Sequence, residues 1–114
     1  MNKTLLIGRI TKDVELRQSK GGVSSVIFSI AVDRDYKDEN GEKVTDFINC
    51  IAFRNNADFM DKYVKKGNLL GITGSLQTYD YEGTTRYQVV VDSVQNLSPK
   101  EKEETKTTKK TTKR

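Results

Sequence analysis

The stretch Thr45-Asp46-Phe47-Ile48-Asn49-Cys50-Ile51-Ala52-Phe53-Arg54, followed by Asn55-Asn56-Ala57-Asp58-Phe59-Met60-Asp61-Lys62-Tyr63-Val64-Lys65-Lys66-Gly67, changes period half-way. In its first part Phe47, Asn49, Ile51 and Phe53 share one parity, and Ile48, Cys50 and Ala52 share the other. Successive side chains of a strand point to opposite faces, so this is a strand with two largely apolar faces. Such a strand is either sandwiched inside the protein or presents one face to a ligand or a subunit. Periodicity alone leaves Phe47 and Phe53 open between core and surface. In the second part Phe59, Met60, Tyr63 and Val64 recur at i, i+1, i+4 and i+5, one stripe of a helix. Asn55 or Asn56 is expected to cap it, Asp58 to favour its first turn and Lys65-Lys66 its last. Gly67 sits where a left-handed terminating residue is wanted.

Working outward, Leu5 to Ile10 is a short apolar run closed by Thr11-Lys12-Asp13, a strand and a bend. Lys20-Gly21-Gly22 is a turn signal. Val26, Phe28, Ile30 and Val32 then alternate with Ser25, Ile27, Ser29 and Ala31, which predicts a strand with one buried face. Asp33 to Lys43 is polar and reads as a loop, with Asn40-Gly41 supplying the positive φ of a hairpin turn. Leu69 to Tyr81 and Thr85 to Leu97 form two long strands around Glu82-Gly83. The order is three strands, one helix, two strands. That is the plan of an OB fold, an all-β, five-stranded Greek-key barrel with one short helix between its third and fourth strands; periodicity gives the order, and closure into a barrel is analogy. The domain is expected over residues 1–98. Residues 99–114 are Lys, Glu, Thr and Arg after Pro99, a basic Lys/Thr-rich tail that lacks the apolar area to offset chain entropy and is expected to be disordered.

Composition narrows the chemistry. The chain has 114 residues, one domain's worth. It contains no His, which removes the commonest general base, and with one Cys it cannot build a Cys/His zinc site. Neither phosphate-cradling glycine spacing occurs, and the acidic residues are scattered, so no enzyme, metal or cofactor is expected. The lone Cys50 excludes an internal disulfide and fits a reducing compartment; on its parity it reads as a small core residue. No apolar run approaches the roughly 20 residues that span a bilayer, and the N-terminus is too short for a signal-peptide core. A cytoplasmic protein without membrane contact is expected.

The net charge of +4 suggests nucleic acid until it is divided along the chain. Residues 1–99 hold thirteen Lys/Arg and thirteen Asp/Glu, while residues 100–114 hold seven and three. Affinity of the domain for a polyanion must therefore come from local clusters and stacking. Phe47 and Phe53, six residues apart on one parity, span roughly 20 Å of strand. Tyr36 lies in the polar loop beside Arg34 and Lys37, and Tyr79 and Tyr81 end the fourth strand opposite Arg86 and Tyr87. Aromatics beside cations suit a wet, base-stacking groove, though rings that merely cover barrel ends have the same pattern. Further cations for phosphates are Lys3, Arg9, Arg54, Lys65 and Lys66.

The residues from Leu5 to Arg17 resemble the opening of bacterial single-stranded-DNA-binding proteins. So do Phe28-Ser29-Ile30-Ala31-Val32, Asp46-Phe47-Ile48-Asn49-Cys50, Val64-Lys65-Lys66-Gly67 and Gly74-Ser75-Leu76-Gln77-Thr78. The resemblance covers residues 1–97. It implies an OB fold, usually a homotetramer, that coats single-stranded DNA in replication, recombination and repair, with base-stacking aromatics at Tyr36, Phe47, Phe53 and Tyr81. A homo-oligomer is expected on that ground, tetramer or alternatively dimer, with Leu5–Ile7 and the apolar parity of the second strand as candidate subunit surfaces. Four departures stand out. Val14 replaces the family's Pro at the first bend, no stacking position carries Trp, Gln77-Thr78-Tyr79-Asp80 replaces a basic strand end, and Lys109 to Arg114 replace an acidic tip. The last puts recruitment of replication enzymes in doubt, and the reading is a plasmid- or phage-type version or one whose tail has another task. The readings to separate are a single-stranded-DNA-coating protein, an OB-fold interaction module of a replication or primosome complex with weak DNA or RNA binding, and an RNA-binding OB domain.

Overall fold

A computed structural model of the chain describes residues 1–98. The tail expected at 99–114 lies outside the described residues. The elements are β1 (Thr4–Ile10), β2 (Arg17–Gln18), β3 (Ser24–Lys37), β4 (Lys43–Phe53), α1 (Asn55–Tyr63), β5 (Leu69–Tyr81) and β6 (Thr84–Asn96). The sheet runs β1-β5-β6-β4-β3-β2, and β1 also pairs with β3. That extra pairing, Arg9 with Ala31 and Ile10 with Ile30, closes β1, β3, β4, β5 and β6 into a five-stranded barrel. The expected OB fold is therefore present, its helix between β4 and β5 once the two-residue β2, which the sequence reading missed, is numbered.

Alternation decides what faces the interior. Val26, Phe28 and Ile30 of β3, Cys50 and Ala52 of β4, Leu70 and Ile72 of β5, and Val89 and Val91 of β6 are buried together. The apolar parity of the second strand is thus core and not the subunit surface it was expected to offer. Closure also forces close backbone approaches: a Cβ on Gly8 would sit 2.6 Å from the Ala31 carbonyl oxygen. At Gly74, where the β5–β6 register shifts, a Cβ would run into the Val90 carbonyl.

The helix closes one end of the barrel with Ala57 and Met60 buried. Neither Asn55 nor Asn56 caps it. Arg54 holds the N-cap position with φ 58°, and no side chain bonds the first turn. The chain leaves β4 through that left-handed residue, its N–H donating to the Ser24 carbonyl at 2.9 Å, so the asparagines are already helical. Asn56 donates instead to the Asp92 carbonyl at 3.1 Å. The helix also stops earlier than expected, because Val64 turns extended and is buried. Lys65, Lys66 and Gly67 fall in the connection to β5, where Gly67 (φ 88°) donates to the Ile10 carbonyl at 2.9 Å. Tyr63, assigned to the apolar stripe, is 61% exposed and packs against Phe59 with ring centroids 5.3 Å apart.

Two hairpins project from the other end. The β5–β6 turn has Glu82 at φ 51° and Gly83 at φ 79°, the two-residue turn whose twist matches the strands. The β3–β4 connection differs from the expected polar loop. Strand β3 continues to Lys37, which pairs with Lys43 after an irregularity that begins at Asp33. Only Gly41 has a positive φ there, 79°, and the Asp38 carboxylate accepts from the N–H groups of Asn40 and Glu42 at 2.9 Å each. An Asx-type turn, not the Asn-Gly pair, organises the bend.

Candidate nucleic-acid interface

The outward parity of β4 answers the question the sequence left open. Phe47 is 69% and Phe53 40% exposed, while Cys50 and Ala52 behind them are fully buried. Neighbouring strands extend this surface. Phe53 pairs with Ser25, Ile51 with Ile27, Asn49 with Ser29 and Phe47 with Ala31, and Ile51 lies beside Val90 of β6. Ile27, also largely exposed, was missed as a surface residue. Its signal was an apolar side chain on the serine-bearing parity of β3.

The other candidates divide between the two ends of the barrel. At the hairpin end stand Tyr36, Phe47, Tyr79, Tyr81, Arg34, Lys37 and Arg86. Tyr36, next to last in β3, is an exposed ring, and Tyr79 and Tyr81 lie on one face of the β5–β6 hairpin with Arg86 opposite Tyr79. The Arg86 guanidinium carbon sits 5.3 Å from the centre of the Tyr81 ring, which keeps a cation against a π-face. At the helix end stand Phe53, Arg54, Lys65 and Lys66, while Arg9 pairs with Ala31, which pairs with Phe47 on its other side. Arg9 donates from Nη1 to the Gly67 carbonyl at 3.0 Å, and the Lys66 N–H donates to Asp13 at 2.8 Å, so this corner is tied by backbone. Lys3 stands apart on the N-terminal side of β1 and pairs with Asp92 at 3.4 Å.

Not every cation expected to meet phosphate is uncommitted. Arg34 donates from Nε to Asp46 at 2.9 Å and from Nη2 to the other carboxylate oxygen at 3.0 Å, while Nη1 donates to the Tyr36 hydroxyl at 3.0 Å. The hydrogen bonds from Arg34 hold the Asp46 carboxyl below the usual range, and the guanidinium is raised in turn. The Thr45 hydroxyl and then Lys43 lower Asp33 in the same way. Among the described residues Lys37, Arg54, Lys66 and Arg86 enter no ion pair. Burial pushes the Cys50 thiol up to about 12, which makes it inert.

What this arrangement offers is a band of solvent-facing rings along one strand and at the tips of two hairpins, with cations set between them. The chain's first 97 residues match the model of the single-strand binding protein family. The chain belongs to that family. A single-stranded DNA-binding protein of Staphylococcus aureus is 44% identical over 110 residues, which cover 92% of this chain and 70% of that protein. One from Bacillus cereus is 43% identical over 105 residues, covering 88% of this chain and 62% of the relative. The fold matches a Plasmodium falciparum SSB solved with single-stranded DNA at a TM-score of 0.74 and 24% identity, over 86% of this chain and 96% of the other. Family membership accounts for the OB barrel. Among the described residues no cluster of His, Cys, Asp or Glu is built to hold a metal, and no helix is long and apolar enough to cross a membrane.

Proposed function

We propose that this member of the single-strand binding protein family coats single-stranded DNA without sequence preference, as a non-enzymatic cytoplasmic component of replication, recombination and repair. The observation that carries this reading is the exposure of Phe47 and Phe53 on a strand whose other face is the core. A large ring left mostly in water on the outside of a barrel adds little to folding, and stacked bases are worth about 1–3 kcal/mol each on such rings. The strand runs over the outer face from Phe53 to Phe47 and onto the hairpins, with bases on Tyr36 and Tyr81 and with Tyr79 beside them. Lys37, Arg54, Lys66 and Arg86 meet phosphates, with Arg9 and Lys65 flanking the helix end. Binding relies on stacking more than on charge, since residues 1–99 are neutral.

A homo-oligomer belongs to the same proposal. Leu5 is 75% and Ile7 61% exposed on β1, and together they line an open depression with Gly71 and Thr73. Apolar side chains this exposed on a short strand suit a second copy of the chain.

The test is titration of the full chain with labelled oligo-dT against duplex of equal length at several salt concentrations. Tight single-strand binding with little duplex affinity is the expected result. Micromolar or weaker binding would support the second reading instead, an interaction module of a replication complex. The internally paired cations of the β3–β4 hairpin are the observation that favours that reading.

A further inference from the structure

The β3–β4 hairpin, residues 33–46, holds six carboxylates and three cations, an acidic balance for an element that presents Tyr36. Two of its three cations are consumed internally, Arg34 by Asp46 and Lys43 by Asp33. The two pairs are not equivalent. Lys43 reaches Asp33 through a single contact at 3.5 Å. Arg34 and Asp46 meet through two parallel N–H···O bonds of 2.9 and 3.0 Å, and this planar fork matches a phosphate as well as a carboxylate.

We propose that Asp46 limits the affinity of this protein for single strands, its carboxylate occupying the Arg34 fork that would otherwise take a phosphate of the bound strand. The inference rests on the single-strand-binding reading above and adds a residue to it. The contact with Tyr36 and the exposure of the pair place the latent phosphate site where the strand passes the hairpin. Arg34 also bonds the Tyr36 hydroxyl, so the fork lies beside an exposed ring offered to a base. Asp46 points to the face of β4 opposite Phe47, so the Arg34–Asp46 fork goes with Tyr36 on the hairpin and not with the β4 rings. Both partners are half-exposed, 44% and 43% by side chain, so a phosphate has access to the fork. As long as the pair is intact, Arg34 carries no net charge to the interface and releases no counterion on binding.

The expected effects follow from counterion release, about 0.7 in the slope of log K against log salt for each phosphate neutralised on a single strand. Asp46→Asn should steepen the slope by about 0.7 for each subunit the strand engages, and tighten binding about fivefold at 0.1 M salt. The double variant Asp46→Asn with Arg34→Ala should lose the gain, because the effect acts through Arg34. Asp35→Asn removes a carboxylate from the same hairpin without releasing an arginine, and should not add 0.7 to the slope. All are read by oligo-dT titration of the full chain over a salt series, with thermal melting to verify folding.

The idea is overturned by an unchanged slope in Asp46→Asn or by a gain that persists in the double variant. A wild-type chain that fails to bind oligo-dT overturns the binding reading and this one together. Binding without these differences overturns this one alone.

Discussion

Replacing Phe47 by Ala separates a stacking ring from a core ring more cleanly than any other single change. The side chain is 69% exposed, so most of its apolar area is already in water in the folded state. Truncation should therefore lower unfolding free energy by under about 1 kcal/mol, as for surface positions. Phe28, 7% exposed inside the same barrel, gives the contrast: its truncation should cost about 3–5 kcal/mol. The loss for Phe47 should appear in binding. A base stacked on the ring is worth about 1–3 kcal/mol, which is about 5- to 160-fold in Kd. No charge is removed, so the salt slope should stay unchanged while the whole binding curve shifts. The assay pairs urea unfolding with titration of labelled oligo-dT at three salt concentrations. An unfolding loss of about 2 kcal/mol or more with affinity within twofold of wild type would refute the reasoning. Phe53, at 40%, should divide its cost between stability and binding.

Three further outcomes are expected. The Cys50 thiol ionises near 9 when unfolded but is held at about 12 when folded, so its contribution to stability is complete below pH 9 and is lost as pH rises towards 12. Unfolding against pH should show this decline and Cys50→Ala should remove it, and thiol reagents should react only as fast as the barrel opens. Ile7→Lys, at an exposed strand position, should lower the mass seen by light scattering while leaving far-ultraviolet circular dichroism unchanged. Deleting residues 99–114 removes the whole +4 excess, and should weaken oligo-dT binding and flatten its salt slope. An unchanged slope would show that the tail takes no part.

The element order and the shared parity of the β4 rings were legible in the sequence because they depend on local rules, while the barrel was inferred by analogy from that order. A period of two across Val26 to Val32 and Phe47 to Phe53, one helical stripe and two hairpin signals leave few arrangements for a chain of 114 residues. Alternation could sort Phe47 and Phe53 onto one face, but it could not say which face met water. Closure decided that. Pairing of β1 with β3 puts Cys50 and Ala52 inside and leaves both phenylalanines outside. Closure also moved the second strand's apolar parity from a supposed subunit surface into the core, and buried Val64 so that the helix stopped at Tyr63. The partners of Arg34 lay beyond the reach of any pattern. Asp46 is twelve residues away along the chain, and only the register of β3 on β4 brings the carboxylate under the guanidinium. Residue types and local periods settled which groups the protein can use. Long-range strand pairing settled which of them face solvent, and which are already satisfied by one another.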